Sequence, residues 1–270
     1  MPTATSSARS RSRSHNGISI PPGWFAASVA LFLTVWFLAS AVAGAKLLPS
    51  PLTVAQSFYT LLVEPLAGLT LPWHVLSSLT RWGTGFLIAV AIGVPLGITF
   101  GAIGPIREFL SPIFEFLRFI PPFAWIPLAI LWMGSGQTSA AFIVFVAAFP
   151  AVVISTQVGI ATIDRRLSQA AVNLGAGPFQ LITRVLAPLG LPSIFTGIRV
   201  AVSNGWMAVV AAEMIGGTEG IGFLIIQGQE NGDVPIVITG MVAIGITGAI
   251  IEVIVALLRR VAIPWSRTDD

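Results

Sequence analysis

The 270-residue chain has no cysteine, a single lysine (Lys46) and two histidines, His15 and His74. Without cysteine there is neither a disulfide framework nor a thiolate metal site. Two histidines so far apart in sequence do not suggest a histidine metal centre. Charge is scarce as well. Only 9% of residues are charged, against about 25% in a soluble domain. Most of the surface therefore does not face water. The pattern G-x-x-x-x-G-K-[S/T] is missing, so any nucleotide phosphate must be held by another chain. No Ser/His/Asp arrangement or paired carboxylate set points to catalysis, and the chain reads as a non-enzyme with no cofactor of its own.

What fills the chain instead is apolar. Hydrophobic residues make up 55% and the mean hydropathy is +0.89. The class is an all-α polytopic membrane protein. The isoelectric point near 10.5 rests on a net charge of only +3. That balance reads as membrane topology, not as nucleic-acid binding.

Residues 1–20 are rich in Ser and Arg and cannot bury a core, so they read as a disordered basic tail. Residues 21–270 read as one transmembrane domain. About six spans are expected. The first, Trp24 to Gly44, matches the ~20 residues that cross a bilayer and reads as an uncleaved helix, with a signal peptide as the rival. Residues 45–80 carry four prolines and form no span. A second span runs from Trp82 to Ile103. In it Gly85, Ala89, Gly93, Gly97 and Gly101 recur every four residues, a smooth stripe that lets another helix come close. Pro105 to Arg118 is a short polar crossing. Phe119 to Met133, with three prolines, is a kinked third span. The fourth runs from Ala140 to Ile160, the fifth from Ser193 to Ile215 and the sixth from Val234 to Leu258. Gly216 to Asp233 reads as a flexible glycine- and acid-bearing loop.

Basic residues orient the spans. With both termini in the cytoplasm, twelve of the 14 Lys and Arg fall inside, leaving Lys46 and Arg81. The flipped orientation reverses that ratio. Residues 161–192, with Arg165, Arg166 and Arg184, then face the cytoplasm.

Within that stretch lies Gln169-Ala170-Ala171-x3-Gly175-x9-Val185-x-Ala187-Pro188. It resembles the EAA loop of ABC importer permeases, E-A-A-x3-G-x9-I-x-L-P. Gln169 stands where the family has Glu and removes a charge. The flanks also resemble permeases for nitrate, sulfonate, taurine and bicarbonate: Leu117-Arg118-x-Ile120-Pro121-Pro122-x-Ala124-Trp125-Ile126-Pro127-Leu128, then Leu191-Pro192-x-Ile194-Phe195-Thr196-Gly197-x-Arg199, then Ala211-Ala212-Glu213-Met214. The resemblance runs from Leu48 to the C-terminus.

The resemblance implies a MetI-like, type I importer permease in a bacterial cytoplasmic (inner) membrane. Its partners would be a second permease copy or paralogue, two ABC ATPase subunits or domains that bind ATP and Mg, and an external substrate-binding protein. Gln169, Ala170, Ala171, Gly175, Val185 and Pro188 would couple the chain to the ATPases. The solute would be a small oxyanion: nitrate, a sulfonate such as taurine, or bicarbonate. The alternative is a stand-alone secondary transporter or channel that needs no ATPase.

The residues themselves favour a docking knob. Asp164 or Ser168 can cap a short helix, Gly175 can end it in a left-handed turn, and Pro178 can start the next. Polar residues inside spans are functional candidates. Arg199 and Glu213 sit fourteen residues apart, about 21 Å along a helix, on one face but too far apart to pair. Ser203, Asn204 and Trp206 lie between them. This face is expected to line the translocation path, whereas Glu252 in the sixth span reads as a packing residue.

Overall fold

The computed structural model describes residues 22–44 and 46–264. The expected basic tail at 1–20 and Arg267 lie outside the described residues. The described chain is helical, with five helices long and apolar enough to cross a membrane, or six if one bent pair counts as a span.

In chain order these are α1 (Pro22–Ala43), α2 (Pro51–Val63), α3 (Leu71–Ala102), α4 (Gly104–Arg118), α5 (Ile126–Met133), α6 (Gln137–Ala161), α7 (Arg165–Asn173), α8 (Pro178–Gln180), α9 (Ala187–Gly216), α10 (Ile221–Glu230) and α11 (Val234–Ala262). A 3-10 turn at Pro122–Trp125 precedes α5, and a π-helical turn at Leu181–Leu186 joins α8 to α9.

The centre of the bundle is α3, α6 and α9. The small-residue stripe does what its spacing predicts. Ala89 is fully buried, and a methyl group added to Gly97 would stand 2.6 Å from Thr156 Cβ and 2.8 Å from the Val153 carbonyl. Gly85 meets α6 at Ala141, Gly93 at Val152 and Gly101 at Ile160. The partners ascend together, so α3 and α6 run parallel. Two parallel neighbours in one bundle require a return crossing between them, which α4 and α5 must supply. Against α6, helix α9 is antiparallel: Gly205 lies at Val144 and Gly159 at Ser193. Close backbone approach replaces the hydrophobic drive that lipid cannot provide.

Five expectations are refined or corrected. The second span begins at Leu71, eleven residues before Trp82, because His74, Ser78 and Arg81 interrupt the hydropathy yet remain helical. The segment read as a polar crossing, 105–118, is the amphipathic helix α4. The kink of the third span is a bend of 88° between the end of α4 and Pro122–Met133, placed where Pro121 and Pro122 remove backbone donors. The fifth span extends without a break from Pro178 to Gly216, so the cytoplasm-expected loop flows into it. Gly216 to Asp233 is not a flexible loop. It folds back as α10, burying Ile221, Leu224 and Ile225 against the bundle.

Candidate functional site

Three residues of α3, His74, Ser78 and Arg81, fall at i, i+4 and i+7, which puts them on one helix face. All three are buried, as is Glu213 near the end of α9. Arg81 Nη1 donates to Glu213 Oε1 at 3.0 Å and to the Glu219 carbonyl at 2.6 Å. Its Nη2 donates to Glu219 Oε1 at 2.9 Å. Ser78 donates to Glu213 Oε2 at 2.9 Å and accepts the Ile221 amide at 2.9 Å. The Gly222 amide also donates to Glu213 Oε2, at 3.0 Å.

Below this pair the Gly220 amide donates to His74 Nδ1 at 3.1 Å. That contact makes Nδ1 an acceptor and leaves the ring proton on Nε2, which faces the Leu66 carbonyl at 3.2 Å. The α3 stripe thus reads the backbone of the turn that joins α9 to α10. The glycines of that turn follow from the carboxylate. Gly220 has φ +111°, and a Cβ on Gly222 would stand 2.8 Å from Glu213 Cβ. The cluster ties α3, α9 and α10 together at one end of the bundle. With 30 residues, α9 spans about 45 Å, so the cluster and α7 lie at opposite ends.

At the other end the Asp164 carboxylate accepts the Arg166 amide at 2.9 Å and caps α7. Gly175, at φ +90°, ends it. The Ala176 amide reaches the Ala171 carbonyl at 3.0 Å and the Gly175 amide reaches the Val172 carbonyl at 2.9 Å, the paired bonds of a left-handed helix stop. Pro178 opens the next helix. Gln169, Ala170 and Gly175 are exposed, Ala171, Val185 and Pro188 half-buried. The knob also shows apolar side chains to solvent: Leu174 is 90% and Phe179 78% exposed. The π-helical turn that carries Arg184 and Val185 joins this knob to α9, the kind of irregularity that often marks a working segment.

The expected pathway residues divide. Arg199 pairs with Glu252 of α11, so each of Arg199 and Glu213 has its own partner. Ser203 and Asn204 are exposed. Asn204 opens on a cavity of about 610 Å³ whose walls include Arg118, Trp125, Phe142, Phe145 and Phe149. Trp206 is buried, donating from Nε1 to the Ile244 carbonyl at 3.2 Å. Glu213 is sealed inside the ion-pair cluster. Arg81, Ser78, His74 and Glu219 were absent from the sequence-based site. Two signals pointed to them: the polar stripe at helical spacing, and a carboxylate inside a span that demands a countercharge.

A family model described as "Binding-protein-dependent transport system inner membrane component" matches residues 89–268. The chain belongs to that family. Its relatives include the taurine transport system permease protein TauC of Escherichia coli, 33% identical over 88% of each chain. The nitrate import permease protein NrtB of Synechocystis is 33% identical, again over 88% of each. The bicarbonate transport system permease protein CmpB of Synechococcus elongatus is 35% identical over 91% of this chain and 89% of its own. An inward-facing structure of the MetNI methionine ABC transporter shares the fold, with TM-score 0.62 and 22% identity over 71% of this chain and 95% of that one. The protein is thus an ABC importer permease of the binding-protein-dependent family, an integral membrane protein and not an enzyme.

Proposed function

We propose that this permease works as a pair, each copy docked by its α7 knob onto an ABC ATPase subunit or domain, with an external binding protein delivering solute. The single observation that carries this is the knob itself. A capped helix stopped by Gly175 presents Leu174 and Phe179 to solvent, and the chain holds no phosphate loop to power its own movement. An exposed apolar patch on a rigid turn is what a partner covers. Movement of the knob would pass through the π-helical turn directly into α9, because Pro178 to Gly216 is one continuous segment.

Both termini and the knob face the cytoplasm of a bacterial inner membrane in this reading, which the arginine distribution supports. Asn204 lines the path on α9 at the cavity walled by Arg118, and Ser203 and Arg199 line it from the neighbouring face of α9, toward Glu252 of α11. Trp206 and Glu213 shape that face from within, Glu213 by closing the far end through Arg81. The solute is a small oxyanion. Taurine, nitrate and bicarbonate permeases among the relatives support this, and the cavity wall carries Arg118, whose guanidinium also pairs with Glu115 at 3.5 Å.

The test is co-purification. The wild-type permease brings down an ATPase with a Walker motif. L174D combined with F179D, which leaves the bundle untouched, loses it. Retention of the ATPase by that double variant would overturn the docking role.

A further inference from the structure

Packing against α6 sets the depth of Arg199. Gly197 stands over Ala151 and Ser155, and Gly205 over Val144, so Arg199 lies within a turn of the middle of α6 (Gln137–Ala161). There it pairs with Glu252 of α11, and the two side chains are 61% and 32% exposed. Charge at mid-span is costly against lipid tails, so this face of α9 and α11 looks onto water. Asn204, exposed next to Ser203, continues it to the larger cavity. Between α9 and α11 lies a second cavity of about 280 Å³, with Ser203, Trp206, Gly248 and Glu252 in its wall. Arg199, Ser203 and Trp206 fall at i, i+4 and i+7 on one face of α9, and Gly248 and Glu252 at i and i+4 on one face of α11. The guanidinium and the carboxylate therefore both belong to this cavity. A Cβ on Gly248 would stand 3.0 Å from Trp206 Nε1, so the indole lies flush against that glycine. The volume is just below that of drug-sized pockets and suits a small solute.

We propose, on the importer reading above, that Arg199 binds the oxyanion in transit and that Glu252 is a resident carboxylate which holds the guanidinium until the solute displaces it. A carboxylate, a sulfonate, nitrate and bicarbonate all offer oxygens to the same guanidinium fork, so Glu252 occupies the place of the solute. An arginine alone at this depth would keep its anion, whereas a transport site must bind weakly enough to release. The competing carboxylate provides that weakness. Ser203, one turn from Arg199 on the same cavity, offers displaced Glu252 a hydroxyl donor. Arg199 stays paired at every stage, and the exchange moves no proton.

The experiment has two arms, each run with taurine, nitrate and bicarbonate. ATP-driven uptake is measured in proteoliposomes holding the complete transporter. Anion affinity is measured by calorimetry on the permease purified with its ATPase and without its binding protein, so that the permease alone is read. For an anion that the wild type takes up, E252Q binds about fivefold tighter and transports more slowly. R199Q loses binding, and R199K, which keeps the charge but not the fork, retains part of it. E252Q decides the matter alone should R199Q fail to fold. A purely structural pair gives another pattern: both single variants lower the unfolding midpoint, the double variant recovers it, and anion affinity does not move. Unchanged affinity in E252Q, or binding that survives in folded R199Q, overturns the proposal, while uptake by the wild type leaves the importer reading standing. No ATP-driven uptake of any of the three anions by the wild type overturns the oxyanion reading and this site with it.

Discussion

Removing Arg81 leaves Glu213 without its countercharge, in a site where the two side chains are 2% and 0% exposed. Ser78 and the Gly222 amide still donate to the carboxylate, but neither cancels its charge. Breaking one side of a buried pair costs about 3–5 kcal/mol. The Arg81–Glu219 contact differs, because the Glu219 side chain is 42% exposed, and such a pair contributes about 0–1 kcal/mol. The structure therefore predicts an order. R81Q and E213A destabilise by about 3–5 kcal/mol each, and E219Q by less than about 1. R81M with E213Q recovers much of the loss, since no unpaired charge remains. Equilibrium unfolding of the purified permease in mixed micelles measures all four, with a midpoint drop on the order of 10 °C for the worst. Additive effects of R81M and E213Q, each below about 1 kcal/mol, would refute the assignment of this pair as the tie between α3 and α9.

Four further outcomes follow from particular residues. G97V drives a side chain into Thr156 and the Val153 carbonyl and destabilises by about 1–3 kcal/mol, whereas G83V, which meets nothing within 4 Å, leaves the unfolding midpoint unchanged. G175V strains the left-handed turn at φ +90° by about 1–2 kcal/mol, and ATPase stimulation falls while the spans stay folded, read by ATP hydrolysis of the reconstituted complex. Q169E is expected to preserve coupling in the same assay, because in the proposed docking shape around Ala170, Ala171 and Gly175 holds the contact. E252Q leaves stability within about 1 kcal/mol, since the Arg199 side chain is 61% exposed.

What was legible in the sequence is what depends on a single helix. Fourfold spacing showed the Gly85–Gly101 stripe, and Asp164, Gly175 and Pro178 announced the knob, because caps and left-handed stops need particular residues. What was not legible depends on two segments meeting. His74, Ser78 and Arg81 lowered the local hydropathy, so α3 was expected to start late. Their burial makes sense only beside Glu213 and the turn at Gly220, more than 130 residues away. The same turn looked flexible for its glycines, which are there because Glu213 occupies the space a side chain would take. The near right-angle bend before α5 was flagged by its prolines, but its size is set by packing against α6.

The central claim is that a partner ATPase drives this permease through the α7 knob. Solute uptake into proteoliposomes containing the permease, its ATPase and its binding protein tests it most directly. The account predicts uptake that requires ATP inside the assay's ATPase compartment and collapses in L174D with F179D while the protein remains folded. Uptake that proceeds without ATP, or that survives loss of both knob side chains, would contradict it.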